Sequence, residues 1–252
     1  MSHRTVFITG ASSGIGMATA RRFSQNGAKL ILLARRENKL KELKNELNCP
    51  VHIIATDISD LESLRTSLSN IPEEFANIDI LINNAGITLG EGPIENRAIA
   101  DLEKMVAVNI NGLLYCTQLI LPKMVERNYG HIINIGSSAG TYPRPGNPLY
   151  CASKALSKQF ALALRADLMG KHIRVTSIEP GTVKGTELTL GRVSGDYSRL
   201  NALYEGYDYL VPEDVAEAIF WATSLPTNIN INRIDMMATC QGFSNLTNIK
   251  SN

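Results

Sequence analysis

From Thr5 to Met236 the chain alternates between short runs of aliphatic and β-branched residues and longer stretches with helical spacing. Residues 5–8, 29–33, 51–54, 78–82, 131–135, 173–178 and 231–236 read as strands. Residues 14–26, 37–48, 59–70, 99–127, 149–169 and 213–223 read as helices; in the second of these Leu40, Leu43 and Leu47 share one face. The strand runs are continuously apolar, as strands are when both faces of a parallel sheet are covered by helices. Strand–helix alternation of this kind predicts an α/β fold, a Rossmann-type doubly wound parallel sheet of about seven strands. Gly27 and Gly170 close helices, Pro72 stops one and Pro212 opens one, while Pro122 is expected to bend or split 99–127. No linker or shift in composition divides the sequence, so residues 1–252 are expected to form a single dinucleotide-binding and catalytic domain. Only 182–210 breaks the alternation. It is rich in Gly, Ser, Tyr and charge without a clean period, and is expected to be a substrate lid or mobile loop.

Lys and Arg number 25 against 24 Asp and Glu, a net charge of +1, which gives no bulk attraction to nucleic acid or an anionic membrane. Cys49, Cys116, Cys151 and Cys240 form no Cys-x2-Cys pair, and His3, His52, His131 and His172 are equally scattered. Neither a metal site nor a disulfide framework is expected, and reduced thiols point to the cytosol. Met1 to Arg4 leads straight into Val6-Phe7-Ile8, too short an apolar run for a signal segment or a membrane span, so the expectation is a soluble cytoplasmic protein.

Between the first strand and the first helix lies Thr9-Gly10-Ala11-Ser12-Ser13-Gly14-Ile15-Gly16. Glycines there allow a tight turn and a close approach of backbone to a pyrophosphate, and the helix N-terminus adds free N–H groups and a positive dipole end. At the end of the second strand, where an enzyme using NAD has a carboxylate for the ribose 2′-hydroxyl, the sequence has Arg35-Arg36. Two guanidinium groups suit a 2′-phosphate, so NADP(H) is the expected cofactor. Further on, Tyr150 and Lys154 stand four residues apart on a predicted helix and so share a face. A tyrosine at its ordinary pKa of about 10 is a poor acid–base catalyst near neutrality, and a neighbouring ammonium favours the phenolate.

The spacing Gly-x3-Gly-x-Gly after a threonine, Asn83-Asn84-Ala85-Gly86 after the fourth strand, and Tyr150-x3-Lys154 together resemble the short-chain dehydrogenase/reductase family, over nearly the whole chain from Thr5 to about Asn245. The resemblance implies a cofactor site formed by Gly10, Ser12, Ser13, Gly14, Ile15, Gly16, Arg35, Arg36, Asp57, Asn83, Ala85, Gly86, Tyr150, Lys154 and the segment Pro180-Gly181-Thr182-Val183. Asp57 would meet the adenine amino group, although an Asp there is equally a helix N-terminal residue. Ser137, thirteen residues before Tyr150, would donate to the substrate oxygen, with Ser138 as its rival, and Asn109 would hold a water in a proton relay from Lys154. Hydride transfer at a carbonyl, with Tyr150 supplying the proton and Ser137 steadying the oxygen, is the implied reaction.

Within the family, Ile178-Glu179-Pro180-Gly181, Gly185-Thr186-Glu187, Pro212-Glu213-Asp214-Val215, Leu225-Pro226 and Met236-Met237 resemble the NADP-dependent 3-hydroxy acid dehydrogenases and the similar sulfoacetaldehyde reductases. That resemblance implies a small anionic substrate. Arg192 falls where those enzymes have an arginine, Arg144 lies on the loop between Ser137 and Tyr150, and Tyr142 and Gln241 are placed to add hydrogen bonds. The loop around Tyr142-Pro143-Arg144-Pro145 and the stretch Thr239-Cys240-Gln241 depart from the hydroxy acid pattern, which leaves a sulfonate substrate open. Alternatives of the same fold are a 3-oxoacyl carrier-protein reductase and an NADP(H)-binding scaffold without catalysis. The family also implies a homotetramer built through 99–127, 149–169 and 231–236.

Overall fold

The computed structural model describes residues 4–243, so His3 and the stretch from 244 to Asn245 lie outside the described residues. Seven strands form one sheet: β1 Thr5–Thr9, β2 Lys29–Ala34, β3 Val51–Ala55, β4 Ile78–Asn83, β5 Gly130–Ile135, β6 Ile173–Pro180 and β7 Arg233–Met236. Their order is β3-β2-β1-β4-β5-β6-β7, and every neighbouring pair is parallel. Successive residues of a strand face opposite sides, so one unbroken apolar run supplies two cores. Val6 and Ile8 join Leu30, Leu32 and Ile80 on one face. There they meet Phe23 of α1 (Gly14–Ser24), Leu40 and Leu43 of α2 (Glu37–Glu46) and, from a helix near the C-terminal end, Val215 and Ile219. Phe7, Ile31 and Leu81 join the other face. They pack on Leu64 of α3 (Leu61–Ser69) and on residues of the long helices of the second half.

Those helices are α4 (Ile99–Val106), α5 (Gly112–Glu126) and α6 (Pro148–Asp167). Pro122 does not divide 99–127 as expected: α5 runs through it. The helix departs from α geometry earlier, in a π-helical turn at Ala107–Asn111, the kind of local widening that often accompanies functional sites. The whole stretch Ile99–Glu126 has the length and apolarity of a membrane span, yet Cys116, Ile120 and Met124 are buried in the core of this fold. The segment 182–210 also differs from the expected irregular loop. It carries two helices, α7 (Glu187–Arg192) and α8 (Tyr197–Tyr204), the second opened by Asp196 accepting from the Arg199 N–H. The last helix, α9 (Pro212–Ser224), begins at Pro212 as its sequence predicts. β7 starts at Arg233 rather than residue 231, because the Asn230 side chain takes over the ladder, accepting from Val175 N at 2.7 Å and donating to Val175 O at 3.0 Å.

Strand order reverses direction between β1 and β4, and the loops leaving their C-terminal ends touch. Thr9 Oγ1 accepts from the N–H groups of Asn84 and Ala85, at 3.0 and 2.9 Å, and Asn84 Nδ2 donates back to Thr9 O at 2.8 Å. Gly10 has φ +67°, and a Cβ there would lie 2.9 Å from Ala85 Cα, so both its conformation and its packing require glycine. This is the crevice in which open α/β sheets bind ligands.

Candidate active site

A cleft of about 710 Å³ opens above the C-terminal ends of β1, β4, β5 and β6, roofed by α7 and α8. At its dinucleotide end stand Gly10, Ser12, Ser13, Gly14 and Ile15, together with Arg35, Arg36 and Asp57. Ser13 caps α1 without using its side chain on the helix, so the first-turn N–H groups face an open crevice. Gly16 does not line the cleft. A Cβ there would come within 2.5 Å of Gly10 O, so this glycine serves the packing of α1 against the turn. Asp57 lines the cleft and is not the cap of α3, which is Asp60. Burial opposes ionisation of Asp57, but the Ser59 hydroxyl and N–H, with Arg35 and Lys104, hold its carboxyl below the ordinary range. Ala85 and Gly86 line the cleft, as does Asn84, whereas Asn83 is turned into the core, bonded at 3.0 Å to both Thr117 and Asn134. That corrects the expectation for Asn83: the last residue of a buried strand points its amide across the sheet.

Arg36 shows an arrangement that the sequence did not suggest. Its guanidinium donates to Ser12 Oγ at 2.9 Å, to Ser13 Oγ at 3.1 Å and to both oxygens of Glu187 on α7, the shorter contact being 2.6 Å. Glu187 also accepts from Ser13 Oγ at 3.1 Å. An anion from the roof therefore already rests on Arg36 and the Ser13 hydroxyl at this end of the cleft.

At the chemical end, Tyr150 and Lys154 follow Pro148 and Asn147 on the first turns of α6, both buried and both facing the cleft. Lys154 Nζ donates to Ile135 O at 2.8 Å and lies 5.8 Å from the centre of the Tyr150 ring. Burial pulls the Lys154 ammonium down to about 8, opposed by Glu179. Tyr150 is pushed above its ordinary value by burial; Arg144 and a hydrogen bond with Ser137 act the other way. Arg144 thus joins the lysine that the helix spacing singled out as a cation near the phenol. Ser137 lines the cleft, while Ser138 sits in the 3-10 turn behind it and does not.

Asn109 lies in the π turn and does not reach the cleft. Its amide accepts from Ile87 N and donates to Ile87 O, both at 2.8 Å, which pins the loop leaving Gly86. A Cβ on Gly86 would be 3.4 Å from Lys154 Nζ and 3.6 Å from Asn109 Oδ1, so the two side chains flank that glycine. Pro180, Gly181, Thr182 and Val183 line the cleft from β6. Two of the expected substrate residues stand elsewhere. Tyr142 packs at a tilt against Phe243, with ring centres 5.0 Å apart, and Gln241 accepts from Thr182 N at 2.8 Å, bracing the segment after β6; neither lines the cleft.

Arg144 and Arg192 do line the cleft. Arg192 Nε lies 3.1 Å from Glu91, too bent for a hydrogen bond, and Glu91 also pairs with Arg199. Among the described residues no carboxylate pairs with Arg144, whose charge is felt by both Tyr150 and Arg192. The roof contributes Glu187, Leu188, Leu203 and Tyr204, residues missed in the sequence because 182–210 lacks periodicity; Thr186 and Asp196, each directly before a helix, were the available signals.

Comparison with known proteins agrees with this geometry. The short chain dehydrogenase family model matches residues 4–195. The NADP-dependent 3-hydroxy acid dehydrogenase YdfG of Escherichia coli O6:H1 is 46% identical over 241 residues, covering 96% of this chain and 97% of that protein. Serine 3-dehydrogenase of Rhizobium radiobacter is 44% identical over 240 residues, covering 95% and 96%. Among solved structures, the closed form of serine dehydrogenase complexed with NADP+ superposes with a TM-score of 0.91 at 45% identity, covering 94% of this chain and 96% of that one. With such agreement along nearly the full length of its relatives, this chain belongs to the short-chain dehydrogenase family.

Proposed function

We propose that the protein is an NADP(H)-dependent oxidoreductase that interconverts a small 3-hydroxy acid, of the serine or 3-hydroxypropionate kind, with its aldehyde or ketone. The observation that carries this reading is the guanidinium of Arg144, which lines the cleft together with Ser137 and Tyr150 and pairs with no carboxylate among the described residues. The similarity to 3-hydroxy acid and serine dehydrogenases supports it. Arg36 and Arg35 suit the 2′-phosphate, and the free first turn of α1 suits the pyrophosphate. Bound NADP(H) supplies the hydride acceptor or donor. Ser137 holds the substrate oxygen, Tyr150 exchanges a proton with it, and Lys154 keeps positive charge beneath the phenol. Arg144, aided by Arg192, holds the substrate's anion some distance from the reacting carbon. A sulfonate offers the same paired acceptors as a carboxylate, so sulfoacetaldehyde is the competing substrate.

The test is a panel of serine, malonic semialdehyde, sulfoacetaldehyde and an acetoacetyl thioester with NADP(H). Turnover of the carboxylate substrates, lost by about a hundredfold or more in Tyr150→Phe while NADPH still binds, is expected. Preference for the thioester would overturn the reading in favour of an acyl reductase. The four cysteines are unpaired, which supports a reducing compartment, the cytoplasm. The exposed apolar side chains Ile94 and Ile99 beside α4 and α6 support assembly into a homotetramer.

A further inference from the structure

Glu179, on β6, is fully buried immediately behind the chemical end of the cleft, and none of the roles above uses it. Its Oε2 accepts from the Ser137 N–H at 2.7 Å and its Oε1 accepts from the Ser177 hydroxyl at 2.5 Å. Burial pushes its pKa up, while the Ser177 hydroxyl, the Ser137 N–H and the ammonium groups of Lys154 and Lys158 act the other way and favour the carboxylate. The residue packed over it is Gly136, where any Cβ would overlap the carboxylate oxygens, so the loop before Ser137 is built around this side chain. From α6, Tyr150, Lys154 and Lys158 face it electrostatically. Its register partner on β7, Asp235, is paired with Arg233, and from α9 Asp214 caps Val211 while Glu217 pairs with Arg22. The two lysines are therefore its countercharges.

Resting on the proposed function, we infer that Glu179 is a positioning residue: its buried carboxylate fixes Ser137 through the backbone and holds the countercharge that keeps the Tyr150–Lys154 pair protonated. Reduction needs a single protonation state, phenol intact and ammonium charged. A nearby anion strengthens the hold of both groups on their protons, and its removal weakens both. The direction is therefore fixed whichever of the two loses its proton first.

The experiment compares wild type, Glu179→Gln and Glu179→Asp. The amide variant keeps an acceptor for Ser137 but no charge. It is expected to bind NADPH within about twofold of wild type, while the basic limb of its reduction profile moves acidward by about one pH unit. The aspartate variant keeps the charge, and its basic limb stays with wild type. An amide profile that superimposes on wild type overturns the inference. If the amide variant does not fold, the aspartate variant carries the test. With the carboxylate drawn back from Ser137, its kcat is expected to fall at least about tenfold with NADPH affinity kept; a wild-type kcat overturns the inference. A wild type inactive on every substrate of the panel would instead defeat the functional reading. In that case phenolate absorbance near 295 nm, taken as each protein minus its Tyr150→Phe counterpart, still decides: an acidward shift of the Tyr150 titration in Glu179→Gln supports the role, and an unmoved titration overturns it.

Discussion

Lys154 bears the clearest electrostatic cost in the site. Its ammonium is buried, and its pKa falls from an ordinary 10.5 to about 8, so between those values the native state holds fewer protons than the unfolded chain. The penalty is full below pH 8 and is relieved as the pH climbs toward 10.5. Lys154→Met removes the penalty at every pH, whereas the lost hydrogen bond to Ile135 O costs the same throughout. Wild type is therefore expected to gain about 2 kcal/mol on the variant between pH 7 and pH 9.5. Urea unfolding of both proteins at the two pH values measures this, and a constant difference would show that the lysine is not strained. Tyr150 and Lys154 were singled out in the sequence by helix periodicity, and Ser137 by the family resemblance. The contacts of Glu179 and Gln241 were not legible there, since their partners lie 42 and 59 residues away and only the folded sheet joins them.

At the scale of elements, the strands and most helices could be read from apolar runs, because a parallel sheet buried on both faces leaves no other place for them. The π turn and the two roof helices could not. A π turn has no composition of its own, and α7 and α8 are short, with no fully buried position. Each has a measurable consequence. Asn109→Ala leaves both Ile87 backbone groups without their partner, and is expected to cost about 1–3 kcal/mol in urea unfolding. A variant as stable as wild type would mean that water replaces the amide. On the roof, Glu187 already pairs with Arg36, the guanidinium proposed for the 2′-phosphate. Glu187→Gln frees the guanidinium, and since the pair is exposed the gain is modest: a two- to fivefold lower Kd for NADP+, roughly 0.5–1 kcal/mol, shrinking as salt is added. NAD+ affinity is expected to change less. Arg36→Ala is expected to do the reverse, weakening NADP+ more than NAD+ in fluorescence titrations.

For the whole molecule, the distribution of apolar surface is the remaining physical question. The two cores account for the inner faces of every strand and of the major helices. Single exposed aliphatic residues need no explanation, but a contiguous patch does. Ile94 and Ile99 are 50% and 68% exposed, and they border a shallow groove lined also by Leu102, Val106 and Leu149, on the flank where α4 meets α6. α6 carries Tyr150 and Lys154, and the π turn that follows α4 carries Asn109, so burial of this flank against another copy would stiffen the chemical end of the cleft. Ile99→Glu sets a charge in the patch near Glu103, which lines it already. If the groove is an intersubunit surface, light scattering should give four chains for wild type and a smaller mass for the variant. NADPH affinity should be unchanged, because the groove and the dinucleotide end share no residue. A wild-type protein that scatters as a monomer would leave the groove as surface only and place the rigidity of α6 wholly within the chain, in Pro148, the Lys154–Ile135 hydrogen bond and the packing of Ala161 and Leu164.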